Sequence, residues 1–148
     1  MPPQRCGSLA HMTSPRRLVL LAGLALLGIP ARAATPPDPR LLTGPAWRVE
    51  AIGARGVLEH VRPSLGFTPG GRVQGQSGCN GFSGAYVAEG ASLRIGPVAA
   101  TMIGCRGAIG DQEGRFLGAL AEVRGWRLDG GLLHLTNAEG ATLIRLAR

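Results

Sequence analysis

The sequence predicts an α+β domain: a meander of hairpins forming a small antiparallel β-sheet or partly open barrel, with one α-helix packed on it. Three observations predict it. Short segments alternate apolar and polar residues, glycine-rich turns separate them, and a single stretch has helical spacing.

The first strand starts at Trp47, since "WRVEAIG" places Trp47, Val49 and Ala51 on one side and Arg48 and Glu50 on the other. "SLGFTPGGRVQGQ" reads as a hairpin: a strand through Phe67, a turn at Pro69-Gly70-Gly71, and a second strand around Val73. "GAYVAEGASLRIG" repeats the pattern, with Tyr86 and Val87, a reversal at Glu89-Gly90, and Leu93 and Ile95 alternating with Ser92 and Arg94 before Pro97. The end of the chain gives a meander: Trp126 and Leu128, a turn at 129–131, Leu133 and Leu135, a turn at 137–140, then Leu143 to Leu146. Only "DQEGRFLGALAEVR" breaks the alternation. Its Phe116, Leu117, Leu120 and Val123 lie at helical spacing, and Asp111 and Glu113 are expected in the first turn, where carboxylates suit the exposed amides.

The ends bound the domain. Residues 1–33 read as an N-terminal extension and a cleaved signal peptide: Arg16 and Arg17, an apolar run from Leu18 to Ile29, and the small-residue site Ala31-Arg32-Ala33. That run is shorter than the about 20 residues of a membrane span, so no transmembrane segment is expected in the mature chain. Sec export is expected over the twin-arginine route, with Met1 and Met12 both open as the start. No cysteine follows the cleavage site to carry a lipid, so the expected location is periplasmic or secreted, not lipoprotein. Residues 34–45, with four prolines among 35–45, read as a tether, leaving 46–148 as one domain.

Charge excludes one class of partner. The chain has 16 arginines, no lysine and 9 acids; beyond residue 33, 12 arginines against those 9 acids leave +3. The arginines are scattered singly and aromatics are few, so no nucleic-acid partner is expected.

Two cysteines, Cys79 and Cys105, remain after the leader, and an even count in an exported chain points first to a disulfide. A thiol nucleophile and a zinc site stay open as alternatives. The first needs a base, and the available histidines, His60 and His134, read as a solvated loop residue and an outward strand residue. The second lacks closely spaced ligand pairs. The glycines of "GQSGCNGFSG" have no following lysine and open no long helix, so no phosphate loop or cofactor is expected. Asn80 there suits a bond to loop backbone or a left-handed conformation, and Thr101 a bond to nearby backbone.

Together these residues resemble the META domain (HslJ-like) family of bacterial envelope and secreted proteins. The resemblance rests on Trp47, Gly78-Cys79-Asn80, Gly84, Tyr86, Leu93, Ile95, the spacing from Thr101 to Cys105, Glu113 leading to Phe116, Leu117 and Leu120, and the late "DGGLLHLTNAEGATLIRL". It spans residues 45 to 147. It implies an α+β domain without established enzymatic activity, in a family linked to heat shock and novobiocin resistance. The functional expectation is therefore a non-catalytic envelope protein, monomeric, that supports stress tolerance by binding an envelope protein or small ligand. The alternative is a secreted inhibitor of a protease or lysozyme, with the loop at 76–84 entering the enzyme's cleft.

Overall fold

The computed structural model describes residues 35–148; the extension and signal peptide assigned to 1–33 lie outside the described residues. Ten strands follow in chain order: β1 (Trp47–Ile52), β2 (Arg55–Gly56), β3 (Ser64–Phe67), β4 (Arg72–Gln76), β5 (Gly81–Glu89), β6 (Ser92–Ile95), β7 (Ala99–Ala100), β8 (Gly125–Asp129), β9 (Leu132–Thr136) and β10 (Thr142–Ala147). The helix α1 (Gly107–Glu122) lies between β7 and β8.

The sheet runs β10-β9-β8-β6-β5-β4-β3-β1, and β10 also pairs with β1, so the ends meet and eight antiparallel strands close a barrel. Alternation explains the interior. Along β1 Trp47, Val49 and Ala51 are buried, along β6 Leu93 and Ile95, and along β9 Leu133 and Leu135. A pleated strand sends alternate side chains to opposite faces, so each strand contributes one row to a shared core. Closure removes the unpaired edges that an open sheet would expose. The seam between β6 and β8 is narrow, with the single register pair Ser92↔Gly125. Turn residues extend it: the Trp126 amide donates to Ala91 O at 2.9 Å and its indole N–H to Gly90 O at 2.8 Å.

The expected sheet-or-open-barrel is thus a closed barrel, because β1 and β10, at opposite ends of the domain's sequence, pair with each other. The helix also differs from expectation. It begins at Gly107 and has no acidic residue in its first turn, so Asp111 and Glu113 sit in the second. Gln112, Phe116 and Leu120, spaced four apart, form its buried face. α1 contacts β1 and β10 and also the non-adjacent β6, and Phe116 meets Phe82 of β5 edge-to-face at 5.6 Å. Those contacts place it across the barrel instead of along one face.

The tether expectation is overturned at its second half. Pro39–Leu42 form a 3-10 turn capped by Asp38, whose carboxylate accepts from the Arg40 amide at 2.9 Å. Leu42 is fully buried in the core, and the Trp47 indole donates to its carbonyl at 3.0 Å. Arg148 closes over this turn: its guanidinium stacks 3.9 Å from the Trp47 ring centre and donates to Leu42 O at 3.1 Å. Composition concealed this, because two adjacent leucines among prolines carry no periodicity.

The tertiary role of Leu42 is measurable. Leu42→Ala is expected to lower unfolding free energy by about 2–5 kcal/mol, the usual cost of a buried leucine, read as a lower urea midpoint. An unchanged midpoint would mean that residues before 46 are a tether after all.

Candidate functional site

The glycine-rich segment 75–84 leaves β4, reverses, and returns as β5. Gly78 makes that reversal at φ 115°, a left-handed-side conformation that a side chain disfavours, and a Cβ there would strike Val61. Gly84 serves a different need: a Cβ would lie 3.0 Å from Val98 Cγ1 and 3.1 Å from Pro97 O, so its absence lets residues 97–98 cross β5. That crossing carries the chain into β7, which pairs with Phe82 and Ser83, and on to residues 101–105 beside the reversal.

At the centre is Asn80, 4% exposed. Its Oδ1 accepts from the Thr101 hydroxyl and the Ile103 amide, each at 2.7 Å. Its Nδ2 donates to Ile103 O at 3.1 Å and to Glu113 Oε2 at 3.0 Å. The Ile103 amide can only donate, which fixes the carboxamide's orientation, and both acceptor sites and both donor sites are then used. Glu113 completes the other side: Oε1 accepts from the Asn80 amide at 3.2 Å and from the Ser77 hydroxyl. Ser77 is fully buried; its amide already serves Asn80 O at 2.8 Å, which frees the hydroxyl proton for the carboxylate. Buried polar groups left unpaired cost about 1–3 kcal/mol each, so this mutual satisfaction holds the β4–β5 reversal, residues 101–103 and α1 together.

Covalent chemistry adds to the same junction. Cys79 and Cys105 form a disulfide with a Cα–Cα separation of 6.1 Å across 26 residues. Both sulfurs are consumed, which closes the thiol-nucleophile and zinc alternatives for this pair. Among the described residues no group of three or more His, Cys, Asp or Glu side chains could hold a metal ion.

The remaining singled-out residues divide. Trp47, Phe116 and Leu120 are core residues. Tyr86 packs edge-to-face on Phe67 at 4.9 Å and donates to Thr68 O at 2.8 Å; burial raises its pKa. Glu113 is not a first-turn acid, and the Thr101 hydroxyl bonds the Asn80 side chain, 21 residues away, instead of the nearby backbone expected. His60 is exposed in a turn, as expected, while His134 is half-buried on β9, with Nδ1 3.3 Å from the Thr142 hydroxyl.

Ser77 and Gln112 gave no sequence signal. Gln112 is 1% exposed; its Oε1 accepts from the Leu58 amide at 2.7 Å, and its Nε2 has no partner among the described residues. A buried glutamine at position i−4 from Phe116 could have been suspected from its place on the apolar stripe, but glutamine is also an ordinary helix-surface residue.

The polar junction faces inward, and its neighbour loop faces outward. Met102 is 96% and Ile103 63% exposed, although Ile103's backbone is held at both N–H and C=O by Asn80. A shallow recess of about 670 Å³ lies nearby, lined in part by Gln74, Gln76, Ser83, Ala100 and Thr101.

A closed barrel crossed by one helix, with a disulfide tying loop to loop and a buried asparagine tying loop to helix, defines a small α+β module. The META domain family matches residues 40–148, and the chain belongs to that family. The match starts at the 3-10 turn, in agreement with the buried Leu42. A protein from Burkholderia xenovorans, solved by NMR, is similar at 26% identity and TM-score 0.60, over 81% of this chain and 96% of that one. A second NMR structure matches at 21% identity and TM-score 0.59, over 74% and 94%. A crystal structure of a DUF4847 family protein from Bacteroides vulgatus matches at 17% identity and TM-score 0.53, over 73% and 94%; these last two show the fold alone. No curated protein matches the chain.

Two variants test the junction. Asn80→Asp replaces a donor facing Glu113 with an acceptor, so a loss of about 3 kcal/mol is expected at pH 7, with partial recovery at pH 4 as the carboxyl pair takes up a proton. A pH-independent loss in denaturant melts would remove the contact from the account. Replacing both cysteines by serine is expected to cost about 3 to 4 kcal/mol on the chain-entropy estimate, and an unchanged melting temperature would contradict it.

Proposed function

We propose that this META-domain protein is a non-catalytic exported envelope protein that supports tolerance of heat or of antibiotics such as novobiocin by binding an envelope protein or small ligand. One observation supports the binding role above others: Met102 and Ile103 project from a loop whose backbone is clamped. Exposed apolar side chains on a preordered backbone lose little conformational freedom when they are covered, so such a loop suits recognition. Among the described residues no helix is long and apolar enough to cross a membrane. The polar groups of the junction are directed at one another, and Ser77, whose hydroxyl bonds the Glu113 carboxylate, is fully buried; these features also favour a binding role over an enzyme.

The inhibitor reading survives in altered form. Residues 76–84 do not suit insertion into a cleft, because Ser77 and Asn80 are buried and 81–84 belong to β5. The clamped loop 101–104 is the segment that would enter.

The test is genetic and biochemical. A strain lacking the gene is expected to lose tolerance to heat or novobiocin, with rescue by the wild type and not by Met102→Ser combined with Ile103→Ser. Equal rescue by both would end the loop's role, and full tolerance without the gene would end the stress reading. No inhibition of envelope proteases or lysozyme at high micromolar concentration would end the inhibitor reading.

A further inference from the structure

The Asn80 junction makes no use of the outer face of β8, β9 and β10. There the register sets Arg127 opposite His134 and His134 opposite Arg145. Five of their six chain neighbours, Trp126, Leu133, Leu135, Ile144 and Leu146, are buried, the sixth, Leu128, being part exposed at the strand end, so alternation turns all three cationic or protonatable side chains outward in one row. Like charges directly opposite one another on a sheet destabilise it. This row is therefore costly whenever His134 is protonated and nothing negative covers it.

Little negative charge does. Among the described residues the only ion pair joins Arg48 to Glu50, at 2.9 Å, and neither Arg127 nor Arg145 has a carboxylate partner. The groups facing His134 are Arg127 and Asp129 from β8 and Arg145 and Thr142 from β10. Arg127 donates to the Thr142 hydroxyl oxygen at 2.9 Å, leaving that hydroxyl's proton for Nδ1 of neutral His134 and placing the ring's own proton on Nε2. Burial first, then Arg127, lower the histidine's pKa; Asp129 pulls the other way, and Arg145 adds the last and smallest lowering. Beside Arg145 the surface dips into a recess of about 390 Å³ that Arg48, Glu50 and Arg62 also line.

We infer that this row is a binding site for a phosphoryl group, held between the Arg127 and Arg145 guanidinium groups, with His134 as a third donor once it is protonated. Two strand spacings separate the arginines by about 10 Å, so their side chains can converge on one anion from opposite sides. A phosphoryl group offers oxygens in both directions, whereas a carboxylate offers them in one. Protonation of His134 becomes favourable when a dianion covers it, so binding and proton uptake are linked. Without the anion, the lowered pKa makes the folded state lose stability as pH falls through the range below 6.5. With it, that loss shrinks or reverses. This inference is independent of the stress-tolerance reading.

The experiment follows the His134 imidazole by NMR in the full chain, in sodium phosphate and in sodium chloride at matched ionic strength. Phosphate is expected to raise the His134 midpoint by about 0.5–1 pH unit, the size of a nearby charge effect. A second arm measures co-sedimentation with phosphatidic acid vesicles against phosphatidylcholine vesicles, where up to about tenfold stronger binding is expected at pH 5.5 than at 7.5. A midpoint shift without vesicle binding supports a soluble phosphate ester as the source; vesicle binding without a shift supports a lipid headgroup. The outward-facing double variant Arg127→Gln, Arg145→Gln abolishes either effect, and His134→Gln keeps binding at pH 7.5 but loses its pH dependence. The inference is overturned by no shift together with no vesicle binding, by effects that persist in the arginine variant, or by a pH dependence that survives His134→Gln.

Discussion

The carboxamide of Asn80 is where the irregular parts of this molecule meet. A barrel needs only alternation and register to close, but a helix laid across it must be fixed by something other than the sheet's own ladder. Asn80 supplies that link, spending its acceptors on Thr101 and Ile103 and its donors on Ile103 and Glu113. Through Glu113 it reaches α1, and the adjacent disulfide ties the β4–β5 reversal covalently to the loop that precedes the helix. Polar groups are strong fasteners here because the site is buried, where an unmade bond is not replaced by water.

This arrangement explains the division between inward polarity and outward apolarity. Residues 101–105 have few regular backbone partners, so side chains from the β4–β5 reversal must satisfy them. With the backbone held from beneath, Met102 and Ile103 have nowhere to turn but outward. The same pinning orients α1 so that Phe116 reaches Phe82 and Leu120 enters the core. Loop exposure, helix position and core packing are thus consequences of one junction.

Much of this was legible in the sequence, and the limits have physical causes. Strands with one buried face announced themselves by period two, and the turns at 69–71, 89–90 and 129–131 by their glycines. The pairing of Cys79 with Cys105 followed from their number. Closure was not legible, because the β1–β10 pairing joins residues such as Val49 and Leu146 through contacts that leave no local pattern. The start of α1 was missed because "GAIG" lacks an N-cap side chain, and Arg106 at that position makes no capping bond. Leu42 was hidden among prolines. Asn80 and Glu113 were singled out by family resemblance, but their bond to each other spans 33 residues, and Ser77, which completes it, looked like an ordinary loop serine.

The most direct test of this account is amide hydrogen exchange at Ile103. Its neighbour Met102 is 96% exposed and the segment belongs to no strand or helix, so local exposure alone would give fast exchange. The Asn80 bond instead predicts protection close to that of the barrel strands, lost in Asn80→Ala. Exchange at the rate of an unstructured chain in the wild type would contradict the claim that this one side chain holds the loop and helix in place.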